Sequence, residues 1–187
     1  AGGVFSSALI HGPRLLPAPV RRLALHRPVL FAIVCGLLLA LIGWASGGAS
    51  YGTGYDQARL LVEGRPGLTA DFPLWKMLAT IISYLSGIPG GIFAPSLAIG
   101  AGFGHWLAAL LPSVPGGTFV LLGMVAYFSG VVQAPITAAV IVLEMNSAPG
   151  MAVPLMATSL LAFGASKLVC RRALYGEMAK RFLAAGR

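Results

Sequence analysis

The chain has 187 residues, 57% of them hydrophobic and only 10% charged, where soluble domains carry about a quarter charged residues. No formal charge falls from Pro28 to Tyr55, between Lys76 and Glu144, or from Met145 to Ser166, and a water-facing surface cannot be built from such runs. This is the composition of a membrane protein. It excludes a soluble enzyme, a nucleic-acid-binding module and a disordered tail, and it assigns the +8 net charge to basic residues gathered at cytoplasmic helix ends.

Taken in chain order, the sequence opens at Ala1 without an initiator Met or a leader pattern, as expected for a piece of a longer chain cut inside an apolar helix. Arg14, Arg21, Arg22, His26 and Arg27 then cluster among Pro13, Pro17 and Pro19, and residues 12–27 are read as a loop. Pro28 to Trp44 is an apolar helix near the lower limit for crossing a bilayer. It ends in Ser46-Gly47-Gly48-Ala49-Ser50, which continues a helix only at a cost. Residues 56–76 carry balanced charge and read as a short helix and turn at the membrane edge.

Apolar segments of unequal length follow at 72–85, 92–111, 118–132, 134–145 and 151–170, divided by Gly/Pro turns. Several are too short to cross a bilayer upright. Short, interrupted apolar helices are the hallmark of transporters and channels, where helices stop midway and aim their ends at a substrate. From Lys167 to Arg187 the chain is basic again, with Leu174, Met178 and Phe182 at a spacing of four, the pattern of an amphipathic helix. The fold class expected is all-α integral membrane, with tilted and broken helices. Residues 1–27 form a helix end and cytoplasmic loop, 28–170 the membrane helices, and 171–187 a terminal helix on the cytoplasmic side.

The chemistry is concentrated in Ser86-Gly87-Ile88-Pro89-Gly90-Gly91-Ile92-Phe93-Ala94-Pro95, which opens a long apolar helix. The first amides of a helix lack intrahelical partners and are usually capped by a Ser, Thr or Asp side chain. Here the expected cap is Gly91, which has no side chain, and Pro95 has no N–H. The amides of Ile92, Phe93 and Ala94 are left free where an unpaired amide costs several kcal/mol, and the partial positive charge of a helix start suits an anion. The competing reading is that Gly90 and Gly91, with Gly100, Gly102 and Gly104, serve close helix packing alone.

Other polar residues carry plainer readings. Lys76 is expected to snorkel to the interface, and His105 to be a hydrogen-bonded structural residue. Glu144 is a capping or packing residue beside Asn146 and Ser147, or a functional intramembrane carboxylate. Tyr175 suits an interfacial anchor. Cys35 and Cys170 read as small core residues without metal or disulfide spacing. No Ser/His or carboxylate/His pairing supports an intramembrane enzyme.

Gly90-Gly91-Ile92-Phe93-Ala94-Pro95 with Gly100 resembles the signature of the CLC family of chloride channels and chloride/proton exchangers. Gln133-Ala134-Pro135-Ile136-Thr137 running to Leu143-Glu144-Met145, Ser46-Gly47-Gly48 with Tyr51 and Tyr55, and Leu174-Tyr175 resemble further family motifs in the right order. The resemblance implies two inverted repeats per subunit, of which this chain holds the second and the terminal helix, and a homodimer with one pore per subunit. It implies that the amides of Ile92 and Phe93 and the Tyr175 hydroxyl bind a central chloride, with Ala94 serving a more external site. The family's G-S-G-I-P and G-(K/R)-E-G-P turns are absent, so Ser86 takes no pore-serine role and residues 1–187 alone are expected not to transport. Besides chloride, the expected partner is the lipid bilayer of the cell membrane; no cofactor and no nucleic acid is expected. The alternative is an unrelated transporter of an organic anion that uses the same broken-helix start.

Overall fold

A computed structural model describes the chain except residues 16, 89, 112–114, 172–173 and 178–187 and the side chains of 13–15. The described residues form nine α-helices: α1 (Gly2–Leu15), α2 (Ala18–His26), α3 (Pro28–Ala45), α4 (Tyr55–Val62), α5 (Phe72–Leu85), α6 (Phe93–Leu110), α7 (Gly116–Val132), α8 (Pro135–Asn146) and α9 (Ala152–Val169). A 3-10 turn at Pro149–Met151 leads into α9, and a helical turn covers 174–177. Three runs are long and apolar enough to span a membrane, Pro28–Ala45, Phe93–Leu110 and Pro149–Val169, while α5, α7 and α8 are apolar but shorter. The uneven helix lengths read from the sequence are therefore real.

One segment departs from the reading. Residues 12–15, the end of α1, and residues 18–26 are helical where a loop is expected over 12–27. Pro17 takes the N-cap and Pro19 the second helical position, where a missing N–H removes no intrahelical bond. Two of the prolines that suggested a loop, Pro17 and Pro19, instead start a helix. Of the terminal amphipathic helix, Met178 and Phe182 lie outside the described residues, whereas Leu174 is fully buried.

The core is organised on α6 and α7. Gly100, Gly104 and Gly123 bring their backbones into direct contact: a Cβ on Gly100 would lie 2.6 Å from the Gly123 carbonyl, and one on Gly104 would meet the Phe119 carbonyl and lie 2.8 Å from the Val120 Cα. Close backbone approach of this kind is what holds helices together where lipid is as apolar as the side chains. Hydroxyls finish the work at the C-terminal end of α7, where the last carbonyls have no helical donor. Ser166 on α9 donates to the Gly130 carbonyl (2.5 Å), and Ser6 on α1 donates to that of Val131 (3.0 Å). Ser129 on α7 in turn donates to the Ser159 carbonyl on α9 (2.7 Å).

Two apolar clusters flank this pair. One joins α4, α5, α8 and α9 to it through Leu61, Phe72, Val142 and Leu155. The other gathers Phe5, Leu9 and Ile10 of α1 with Ile92, Ile99, Tyr127, Val131, Cys170 and Leu174. This second cluster sets the start of α6 against α1 and against the turn that carries Tyr175.

A candidate anion site at the start of helix α6

Helix α6 begins at Phe93 with Ile92 as its N-cap, one residue later than the Gly91 cap expected from the sequence. The shift has a packing cause: the Ile92 side chain is buried, 5% exposed, in the cluster with Leu9, Ile99 and Leu174. That burial fixes where the chain turns into the helix. The Ile92 carbonyl accepts the first helical bond, from the Ser96 amide at 3.1 Å.

No side chain caps this start, and its first turn holds no acidic residue. Among the described residues the amides of Ile92, Phe93 and Ala94 have no hydrogen-bond partner, and Pro95 has none to offer. The helix end therefore presents three donors and the positive end of its dipole without compensation.

The glycines divide between the two readings made from sequence. Gly102 would place a Cβ 2.8 Å from the Pro73 Cβ, and Gly100 and Gly104 are equally crowded, so these three do serve packing. Gly90 and Gly91 do not. Nothing lies within 4 Å of a Cβ at either, and both are exposed. Gly90, Gly91, Ile92 and Pro95 line a cavity of about 240 Å³ together with Lys76, Ser50, Tyr51 and Gly52. Ala79, Thr80, Ser83 and Tyr84 of α5 line it as well. With Lys76 they recur at the three- and four-residue spacing of one helix face.

The remaining predicted residues sit elsewhere. Phe93 packs its ring edge-on against Phe128, centroids 4.6 Å apart, so only its amide is available to a ligand. Ala94 is half-buried. Tyr175 is 46% exposed and is not among the residues lining the cavity; its neighbour Leu174 takes the buried position on that turn. The structure thus brings Gly90, Gly91, Ile92 and Pro95 together on one cavity and leaves Tyr175 off it.

Two readings of polar residues are corrected. Lys76 does not snorkel: it is 2% exposed, and its ammonium donates to the carbonyls of Ser50 (2.9 Å), Tyr51 (3.3 Å) and Gly52 (2.7 Å). Glycines at positive φ, Gly52 at 64° and Gly54 at 86°, allow the chain to fold these carbonyls around one cation. His105 is exposed and has no hydrogen bond among the described residues, while its neighbour Trp106 donates to the Ala70 carbonyl at 2.6 Å. Glu144 has an exposed side chain, and its backbone carbonyl accepts from the amide of Ser147, which at φ 47° caps α8. Sequence reasoning also missed Ser96 and Tyr127, whose buried hydroxyls have no partner among the described residues.

The family described as voltage gated chloride channel matches residues 1–167. The chain belongs to the voltage-gated chloride channel family. Among its curated relatives, the H(+)/Cl(-) exchange transporter ClcA of Vibrio vulnificus (strain YJ016) is 39% identical over 112 residues, covering 57% of this chain and 24% of that protein. The transporter of the same name from Yersinia pestis bv. Antiqua (strain Angola) is 34% identical over 159 residues, covering 81% of this chain and 32% of that protein. The chain spans about a quarter to a third of the length of the relatives it matches. The voltage-gated chloride channel fold accounts for the apolar, interrupted helices described above, and the family is one of membrane transport proteins rather than enzymes.

Proposed function

We propose that this chain forms the second half of the CLC membrane fold and supplies one face of a pathway for chloride. The observation that carries the reading is the uncapped start of α6, where the Ile92, Phe93 and Ala94 amides have no partner among the described residues beside the open space at Gly90 and Gly91. Amide donors replace part of the water shell of a chloride ion while touching it with partial charges only. That limits how tightly the ion is held, so that it can leave again. The Tyr175 hydroxyl is the proposed further ligand: it does not line the cavity, so it would reach the anion from outside that lining, from a turn tied to the start of α6 by Leu174, which packs in the same cluster as Ile92.

In this account the whole protein carries chloride across the cell membrane, as a channel or as an exchanger. The basic stretches at 14–27 and 167–187 lie on the cytoplasmic side, and two subunits pair with a pathway in each. The test is chloride binding, by titration calorimetry, to the protein expressed from its complete natural reading frame and purified in detergent. Chloride should bind, and Tyr175→Ala should weaken it. Binding of organic anions without chloride would instead favour a transporter of a different substrate class.

A further inference from the structure

Lys76 is a buried cation with no ion-pair partner among the described residues, in which the only salt bridges join Arg59 and Arg65 to Glu63. Its hydrogen-bond needs are met by the carbonyls of Ser50, Tyr51 and Gly52, but carbonyls do not cancel a full charge. The ammonium is held in place on three sides, and a Cβ on Gly54 would come within 3.0 Å of its Cε. It is 2% exposed to solvent. Lys76, Thr80 and Ser83 of α5 line the same cavity as Ile92 and Gly91. A buried charge in an apolar protein needs a counter-charge, and the cavity is where one can arrive.

We propose that the anion in this cavity is the counter-ion of Lys76, so that Lys76 is a charge-placing residue for the anion pathway. It raises anion affinity through its field without touching the ion. This deepens the chloride reading above and rests on it. From residue 76 to residue 84, α5 rises about 12 Å. Taking that rise as the scale of the separation between the ammonium and an anion in the cavity, a unit charge at an effective dielectric near 20 changes the affinity for a monovalent anion by about tenfold.

A structural clamp on the 50–52 turn and a placed charge are separable. Lys76→Gln keeps an amide donor for the carbonyls and loses the charge; Lys76→Arg keeps both. With the complete protein in detergent, checked for monodispersity by gel filtration, titration with sodium chloride should show Lys76→Gln about tenfold weaker and Lys76→Arg close to the parent. Thr80→Glu leaves the ammonium's bonds to the carbonyls of Ser50, Tyr51 and Gly52 in place, gives up only the Thr80 hydroxyl's own bond to the Lys76 carbonyl, and sets an acid one helical turn away. It should weaken chloride similarly, and it serves if Lys76→Gln does not fold. Chloride affinity within twofold of the parent in a folded Lys76→Gln or Thr80→Glu protein would overturn the proposal, as would Lys76→Arg losing as much as Lys76→Gln. A parent protein that binds no chloride would defeat the chloride reading itself.

Discussion

Ala94→Pro isolates the backbone donors of α6 from every side-chain effect. Ala94 is the second residue of the helix, and its amide has no intrahelical acceptor to lose. The residue four places earlier, Gly90, lies outside the helix, so a proline ring meets no helical carbonyl there. This fold already accepts proline at that position twice, Pro19 in α2 and Pro73 in α5. The cost in fold stability should stay below about 1 kcal/mol, far under the ~3 kcal/mol of a proline in a helix interior. A hydrogen bond to a charged partner is worth about 1.5–3 kcal/mol, so losing one donor should weaken chloride by roughly 10- to 150-fold. Calorimetric titration of chloride into the purified protein measures this, with Ala94→Ser, which keeps the N–H, as the control expected near parental affinity. A monodisperse Ala94→Pro protein that binds chloride as well as the parent would refute the role of this amide.

Other predictions concern the scaffold. Gly104→Ala drives a Cβ into the Phe119 carbonyl and Val120 and should destabilise by about 1–3 kcal/mol, whereas Gly91→Ala, with open space around it, should stay within about 0.5 kcal/mol; thermal unfolding in detergent distinguishes the two. Ser166→Ala strips the Gly130 carbonyl of its donor and should cost about 0.5–1.5 kcal/mol in the same assay. Arg59 holds the Glu63 carboxyl below its ordinary value through a 2.7 Å hydrogen bond. A lowered carboxyl contributes stability that is present above the usual carboxylate range and lost as pH falls through the lowered value. Because both side chains are exposed, Glu63→Gln should barely move the melting midpoint at neutral pH and not at all in molar salt.

Much of this architecture was legible because apolar runs and Gly/Pro turns alternate cleanly. The span read at 72–85 is that of α5, and the turns at 86–91 and 146–150 separate the helices expected on either side. What was not legible depends on contacts distant in sequence. Gly90 and Gly104 look alike in a string of small residues, yet one faces open space and the other a backbone; only the packing of α7 on α6 separates them. Lys76 beside Trp75 has the local pattern of an interfacial lysine. Its three acceptors lie 24 to 26 residues away in a glycine-bent turn, and no local pattern announces them. The cap of α6 moved from Gly91 to Ile92 for the same reason, since Ile92 is placed by α1 and Leu174 rather than by its neighbours.

The most direct test of the central claim is anomalous diffraction from crystals of the complete protein soaked in bromide, a heavier halide that replaces chloride. The account predicts an anomalous peak at the start of α6, within hydrogen-bonding distance of the Ile92 and Phe93 amides and inside the cavity bounded by Gly91 and Lys76. Crystals that hold bromide elsewhere and leave those amides bonded to water or to another protein group would contradict it.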